Sequence, residues 1–160
     1  YPVNGNGIRY KYGLFKQRFV NGYQVELPDE WLNSDGGNAW EIRRASKSVL
    51  VRIGGHVRLV QEKNYLKPVY EDATLIRAVP YDVGMVGYPN NHVNTLRLWS
   101  AEIPESEESK YPTIEDRRQV EDITAVLYPD DSNESGRLLR IKQEYFFFSA
   151  GIQSIIRLYK

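Results

Sequence analysis

The segment with the greatest concentration of chemically useful side chains runs from residue 128 to residue 136 and reads Tyr-Pro-Asp-Asp-Ser-Asn-Glu-Ser-Gly. It places an aromatic ring, a rigid proline and the paired carboxylates of Asp130 and Asp131 in one loop. Loops held on rigid elements are where binding and catalytic groups concentrate. A second role is helix capping, because Asp and Ser favour the positive amino end of a helix and satisfy its free N–H groups. From the residues alone, capping is the preferred interpretation.

Other reaction types have little material to work with. The chain has two histidines, His56 and His92, no cysteine and no Gly-x-Ser-x-Gly motif, which argues against a hydrolase triad or a metal site. Gly5-Asn6-Gly7 resembles a phosphate-wrapping turn, but it lacks a third glycine, so a simple turn is preferred. A polar cluster follows Tyr88-Pro89, and its amides either bind a ligand or turn the backbone; the turn is preferred. Its members are Asn90, Asn91, His92 and Asn94.

Bulk composition limits the class of protein. The 160 residues are 41% hydrophobic, which fits one domain with a core, and no apolar run reaches the roughly 18 residues of a membrane span. Lys+Arg and Asp+Glu both count 21, so a nucleic-acid partner is disfavoured. The absence of cysteine fits a reducing, cytoplasmic location. The chain starts at Tyr1 with neither Met nor a signal peptide, so we expect a piece of a longer chain.

The first 99 residues have the pattern of strands. Val49 to Ile53 and His56 to Gln61 flank Gly54-Gly55, which predicts a hairpin with a two-residue turn, and 72–79 is a third β-branched run. Residues 7–15 and 22–27 predict two further strands, separated from the others by a polar loop over 31–40. These strands together predict an antiparallel sheet.

The last third of the chain has the pattern of helices. Residues 100–112 are acidic and lack a hydrophobic period, which indicates a solvated connection, and 113–127 has helical spacing after Pro112 and Thr113. Residues 137–160 predict a long helix with one apolar face. That face comprises Leu138, Ile141, Tyr145, Phe148, Ile152, Ile155 and Tyr159. Strands followed by helices favour an α+β fold, with one face of the sheet left bare by the small number of helices.

Several ordered blocks resemble one family. They read Gly-Ile-Arg-Tyr at 7–10, Tyr-Gly-Leu-Phe at 12–15, Pro-Tyr-Asp at 80–82, Gly-Tyr-Pro-Asn-Asn-His-Val-Asn-Thr-Leu-Arg-Leu-Trp-Ser-Ala at 87–101, Val-Leu-Tyr-Pro-Asp-Asp at 126–131 and Leu-Arg-Ile-Lys-Gln-Glu-Tyr-Phe at 139–146. The resemblance covers essentially the whole chain and is to the glycogen/maltodextrin (α-glucan) phosphorylases. It implies part of the N-terminal Rossmann-like lobe of a glycosyltransferase with the two-lobed GT-B fold.

The resemblance implies an activity that this chain does not complete. Family members cleave the terminal α-1,4-linked glucose of a glucan with phosphate, giving glucose-1-phosphate, and hold pyridoxal phosphate on a lysine of the C-terminal lobe. No residues here match that lysine motif, so we expect the chain to bind no cofactor and to be inactive alone. By the same resemblance, a glycine-rich helix start precedes Tyr1, and the His and Asp near the sugar follow Lys160.

The loop over 128–136 gains a specific role from the resemblance, that of a gate at the mouth of the catalytic site. Asp131 then lies near the place where an arginine arrives to bind phosphate, and moving the loop exchanges repulsion of the dianion for attraction. Tyr128 matches an aromatic on which an acceptor-side glucose stacks. We also assign Ser132 and Arg140 to substrate binding. With the resemblance counted, these roles are preferred over capping for Asp131 and over helix-end packing for Tyr128.

Departures from the family pattern concern regulation. Asn133 and Glu134 stand where animal-type members carry aromatic side chains of a purine inhibitor site, so purine inhibition is not expected. Arg97 and Arg157 match cations of the family's allosteric phosphate site. Glu102 and Leu158 replace further cations there, so we expect no strong activation by a nucleoside monophosphate.

The helix over 113–127 resembles the family's tower helix, which packs against its twin in a homodimer. Ile114, Val120 and Ile123 are the predicted contact residues, with ordinary packing inside one chain as the alternative. A rival function of a different class is a non-catalytic carbohydrate-binding or dimerisation module. The sequence does not distinguish glycogen, starch and maltodextrin as substrates.

Overall fold

The computed structural model describes residues 3–10, 14–29, 41–87, 92–125 and 129–159. Within those ranges the chain forms a strand-rich first part and two helices at the end. The strands are β1 (Val3–Ile8), β2 (Leu14–Val20), β3 (Tyr23–Asp29), β4 (Glu41–Arg43), β5 (Val49–Ile53), β6 (His56–Glu62), β7 (Tyr65–Glu71), β8 (Thr74–Val86) and β9 (Val93–Glu102). The helices are α1 (Ile114–Ala125) and α2 (Glu134–Leu158), and short 3-10 helices cover Ala45–Lys47 and Glu105–Lys110. The predicted polar loop over 31–40 lies outside the described residues.

The main sheet is built around the long strand β8. Antiparallel β9 covers one edge of β8, from the pair Arg77↔Glu102 to the pair Val86↔Val93, while β5 and β4 share the other edge. At the outside, β1 pairs with β9 in the parallel direction. The antiparallel prediction is therefore correct for every pairing in this sheet except β1 with β9, and the structure is a mixture of α and β with two helices at its end.

The predicted hairpin across Gly54-Gly55 is wrong, although both strands exist. Strand β5 pairs with β8, with Ile53 opposite Thr74, and β6 pairs instead with β7 in a separate two-stranded ribbon. Both glycines have positive φ, as a sharp turn requires, but the turn leads the chain out of the sheet. The pairing of β5 with β8 aligns Val49 and Val51 with Ala78 and Ile76, and all four side chains are buried in the core.

Both helices pack on one face of the main sheet. The core joins sheet residues to helix residues through large, fully buried side chains, chiefly Trp99, Ile123 and Phe146. Tyr111, just after the second 3-10 helix, belongs to the same cluster. The last three residues of β9 and this whole 3-10 helix lie within 100–112, the segment that the sequence assigns to a solvated connection. That stretch is therefore more structured than expected.

The helix starts are set by side-chain caps. The hydroxyl oxygen of Thr113 accepts from the backbone N–H of Asp116 at 3.1 Å, and the Asp116 carboxylate accepts from the Thr113 backbone N–H at 3.2 Å. This reciprocal pair is a capping box, and it confirms the predicted helix entry at Pro112-Thr113. Helix α2 begins at Glu134, three residues earlier than predicted, so Gly136 is in its first turn.

The apolar face that the sequence identifies on α2 points away from the sheet. All seven of its residues are more than half exposed, whereas the buried positions of α2 are Gly136, Gln143, Phe146 and Ala150. A helix that is apolar on two sides is typical of one that packs between layers. The hydrophobic period of the sequence predicted the helix correctly, but it did not predict which side of the helix contacts this sheet.

The residues predicted for a dimer contact on α1 divide into two groups. Val120 and Ile123 are buried in the core of this chain, so the alternative of intrachain packing holds for them. Ile114, at the start of the helix, is 76% exposed. A contact between copies through α1 would therefore have to use its outer face.

Candidate functional site

The short segment 129–133 before α2 is folded by hydrogen bonds among its own residues. The side chain of Asn133 caps α2 by accepting from the backbone N–H of Gly136 at 2.8 Å, and from the Ser135 hydroxyl at 2.7 Å. Asp130 accepts from the backbone N–H of Ser132 at 3.0 Å, which closes a turn. Hydrogen bonds from the Ser132 hydroxyl and backbone hold the pKa of Asp130 below its usual value. The capping role that the sequence suggested for this loop thus belongs to Asn133.

This folded segment directs Asp131 back onto helix α2. Its carboxylate accepts a hydrogen bond from the guanidinium of Arg140, and the two side chains form an ion pair. The Arg140 side chain is 45% exposed and the Asp131 side chain 56% exposed. Two of the predicted site residues are therefore brought together, and both remain accessible to a ligand.

Arg140 also lines a cleft of about 330 Å³ between β1 and α2. Strand β1 contributes Asn6, Gly7 and Ile8, and Tyr10 follows at the carboxyl end of that strand. In open α/β sheets, ligands bind at the carboxyl ends of the parallel strands. From α2 come Gln143, Glu144 and Phe147. The lining combines a cation, a carboxylate, amides and two aromatic rings, which suits a polyhydroxylated or anionic ligand.

Gln143 fixes the angle between the two helices beside this cleft. It is 3% exposed, and its side-chain amide donates to the backbone carbonyl of Ile123 in the last turn of α1 at 3.2 Å. That carbonyl is one of the groups at a helix end that lack an intrahelical partner. The bond holds the end of α1 against α2.

A second groove lies beside the loop segment 129–133. It has a volume of about 430 Å³ and runs between α1 and α2, with Gln119 and Asp122 on one wall and Leu138 and Lys142 on the other. Pro129 and Asp130 form its end. The loop thus lines this groove directly, and it meets the first cleft through the ion pair of Asp131 with Arg140.

The predicted allosteric cation Arg97 is already occupied. It donates two hydrogen bonds to Asp82, at 2.7 and 2.9 Å, and each residue is 7% exposed. Burial alone would raise the pKa of Asp82, but hydrogen bonding and charge from Arg97, and then from Arg44, outweigh burial and lower it. Arg97 also donates to the Ser154 hydroxyl on α2 at 3.4 Å, so the pair ties the sheet to the helix.

Among the other residues predicted for that site, Arg157 lies one helical turn after Ser154, the residue of α2 to which Arg97 donates. Arg157 donates to the backbone carbonyl of Ser48 at 2.8 Å, and Leu158 is exposed. Glu102 is five residues from Arg97 on β9, so it lies on the opposite face of the sheet, where it accepts from Arg43 at 2.6 Å.

Ser132 and Tyr128 are the remaining residues that the sequence assigns to the site. Ser132 belongs to the folded loop through its backbone, and Tyr128 lies outside the described residues. Sequence reasoning missed Gly136, Gln143 and the Asn133 cap. A buried glutamine within an apolar helix and an Asn three residues before a glycine are the signals that could have found the last two.

The described ranges also bear on other kinds of site. In the part of the chain that the structure describes, no three side chains of His, Asp or Glu converge as a metal site would require. The helices in those ranges include none with the length and apolarity needed to cross a membrane.

Comparisons with known proteins give one consistent result. A family model described as carbohydrate phosphorylase matches residues 1–160. The glycogen phosphorylase of Bacillus subtilis (strain 168) is 43% identical over 159 residues, which are 99% of this chain and 20% of that protein. The glycogen phosphorylase of Chlamydia pneumoniae is 46% identical over 166 residues, which are 99% of this chain and 20% of that protein. The brain form of glycogen phosphorylase from Rattus norvegicus is 42% identical over 163 residues, which are 98% of this chain and 19% of that protein. The chain thus spans about a fifth of the length of these relatives.

Proposed function

The chain belongs to the carbohydrate phosphorylase family, and we propose that it acts as part of an α-1,4-glucan phosphorylase, supplying a gate beside the substrate site. The glucan is cleaved by phosphate in that reaction, with glucose-1-phosphate as the product. The main sheet and its two helices are then part of the N-terminal Rossmann-like lobe, and the parallel pairing of β1 with β9 supports that placement.

The observation that carries the proposal is the ion pair between Asp131 and Arg140 at the edge of the cleft. While Asp131 is paired with the guanidinium, the pair is neutral overall and offers an incoming phosphate dianion no free cation. When the loop moves aside, the same guanidinium offers two parallel N–H donors to a phosphate oxygen pair. One movement therefore changes the local charge from neutral to positive.

The ion pair between Asp131 and Arg140 is weak enough for phosphate to replace the carboxylate. Both side chains are about half exposed, and pairs of this kind stabilise a protein by only about 0–1 kcal/mol. A phosphate with nearly two negative charges competes well for the same cation. A fully buried pair would cost several kcal/mol to break and would make a poor gate.

The glucan contacts proposed for this site follow from its lining. Tyr10 and Phe147 offer flat apolar faces to a pyranose ring, and the polar groups of Asn6 and Glu144 lie at the same cleft for its hydroxyls. Ser132, on the loop, is proposed as a further substrate contact and Tyr128 as a stacking platform. Pyridoxal phosphate, held by other parts of the enzyme, would supply the proton chemistry at the phosphate.

The lysines whose side chains the structure describes do not fit the role of holding that cofactor. Of the lysines whose side chains the structure describes, Lys142 is half-buried in the second groove and the others are exposed. A Schiff-base lysine needs a desolvated pocket that lowers its pKa. We propose that other parts of the enzyme hold the cofactor, that the enzyme is a cytoplasmic homodimer, and that any dimer contact on α1 uses the face of Ile114.

The proposal is tested by nuclear magnetic resonance titration of the 160-residue chain with maltoheptaose and, separately, with inorganic phosphate. We expect signals of Asp131, Arg140 and Tyr10 to shift with saturation, and signals of the β6–β7 ribbon to stay constant. Arg140→Gln should abolish the phosphate response, while Arg43→Gln, which alters an ion pair on the opposite face, should not. Neither ligand perturbing the cleft would contradict the proposal.

An assay of glucose-1-phosphate formation tests whether the reactive centre lies outside this chain. We expect the chain alone to form no product, since the cofactor site lies elsewhere. Product formation by the chain alone would overturn the assignment of the reactive centre to other parts of the enzyme.

A further inference from the structure

We propose that Gly136 is a positioning residue for the gate loop, because the backbone of Asp130 rests on its bare α-carbon and so determines where Asp131 meets Arg140. The inference rests on the proposed function only in treating this loop as a gate. The contact itself lies wholly among described residues and can be tested separately.

The contact is unusually close. Gly136 is buried in the first turn of α2, and a Cβ built there would overlap the carbonyl oxygen of Asp130. The same Cβ would lie 2.6 Å from the carbonyl carbon of Asp130 and 3.3 Å from the amide nitrogen of Asp131. These atoms belong to backbone, which cannot rotate away as the tip of a flexible side chain can. Any side chain at position 136 would therefore displace the peptide unit between the two aspartates.

The backbone conformation does not explain why position 136 is a glycine. Its φ is not among the positive values, which among the described glycines occur at Gly22, Gly54 and Gly55. Within a helix, glycine is less favourable than alanine because it loses more backbone freedom on folding. Gly151, further along α2, has no atom within 4 Å of the place that a Cβ would take and shows what a spatially unconstrained helical glycine looks like. The special requirement at Gly136 is space for the loop.

The displaced peptide unit is the one that carries the gate carboxylate. Gly136 and Arg140 are one helical turn apart on the same side of α2, so both move with the helix. The loop is fixed to the helix at two points: the cap from Gly136 to Asn133, and the contact of Asp130 with Gly136. Since Asp131 lies between Asp130 and the cap, these two points place its carboxylate beside Arg140 when the loop is closed. A methyl group at position 136 removes one of the two fixed points.

The test compares Gly136→Ala with Gly151→Ala in the 160-residue chain. We expect Gly136→Ala to raise the hydrogen exchange rate of the Ser132 amide at least tenfold, to move the Arg140 side-chain signals to those of Asp131→Asn, and to return the pKa of Asp130 toward its ordinary value. Gly151→Ala should leave all three unchanged. Exchange within twofold of the parent in both variants, with unmoved Arg140 signals, would overturn the inference.

A measurement on the unmodified chain covers the case in which Gly136→Ala fails to fold. The α-protons of Gly136 should show a nuclear Overhauser effect to the Asp131 amide proton, and its absence would also overturn the inference. If Gly136→Ala moves the loop while the response to phosphate and maltoheptaose stays that of the parent, the positioning role stands and the gate function fails.

Discussion

Replacing Asp82 with asparagine should destabilise the chain far more than removing an exposed charge. Asp82 and Arg97 are each 7% exposed and share two hydrogen bonds, so the substitution leaves the guanidinium of Arg97 buried without a counter-charge. Breaking a buried pair from one side costs about 3–5 kcal/mol. A domain of this size has a total stability of about 5–15 kcal/mol, so the loss would remove a large part of it.

The cations around Asp82 predict that its own replacement costs more stability than the replacement of Arg97. Arg44 also bonds the Asp82 carboxylate, at 3.3 Å, so Asp82 keeps one cation when Arg97 is replaced by methionine. Arg97→Met should therefore cost less than Asp82→Asn, and the double variant should cost less than the sum. The measurement is urea unfolding followed by far-ultraviolet circular dichroism. Arg43→Gln, which breaks the exposed pair with Glu102 on the other face, is the matched control and should cost below about 1 kcal/mol.

The pH dependence has a defined sign. The pKa of Asp82 is lower in the folded chain than in the unfolded one, so its contribution is complete above the unfolded value and is lost as pH falls through the folded value. The difference in unfolding free energy between the parent and Asp82→Asn should thus be constant above about pH 5 and shrink below about pH 4. A cost for Asp82→Asn no larger than that of Arg43→Gln, or a difference that grows on acidification, would refute the reasoning.

Three further predictions concern the core, the outer face of α2 and the Arg97 ion pair. Phe146→Ala should cost about 3–5 kcal/mol in urea unfolding, because its fully buried ring joins α2 to the sheet, and a loss below about 1 kcal/mol would show that α2 is not docked there. Ile152→Ser should change the free energy of unfolding by less than about 0.5 kcal/mol, because the side chain is exposed. The same substitution should reduce binding of the dye 1-anilinonaphthalene-8-sulfonate, and unchanged dye fluorescence would contradict an open apolar face on α2. A thermal-shift titration with adenosine monophosphate at millimolar concentration should give no stabilisation, since Arg97 is paired with Asp82, and a clear shift would mean that the ion pair opens for phosphate.

The sequence predicted most elements correctly because their signals are local. The helical period of 137–160, the Thr113 entry to α1 and the strand runs before and after Gly54-Gly55 each depend on neighbouring residues. Strand pairing is not local. Gly54-Gly55 has the composition of a hairpin turn, but burial of Val49 and Val51 against Ala78 and Ile76 selected β8 as the partner of β5.

Orientation was harder to predict than element type. The seven apolar residues of α2 formed the obvious stripe, yet the helix contacts the sheet through the interleaved positions Phe146 and Ala150. At the candidate site, the sequence marked both Asp131 and Arg140 but could not pair them. Their contact depends on where the loop backbone lies against Gly136, and residue types do not encode that distance.

The two-stranded ribbon formed by β6 and β7 has a practical consequence for engineering. Ile53 and Thr74 face each other across the β5–β8 pairing, so the chain leaves the sheet and returns to it at one point. Residues 55–72 are therefore a natural insertion site. A fluorescent reporter or affinity module whose termini lie close together can replace the ribbon there, between the end of β5 and the start of β8, without breaking a hydrogen bond of the main sheet.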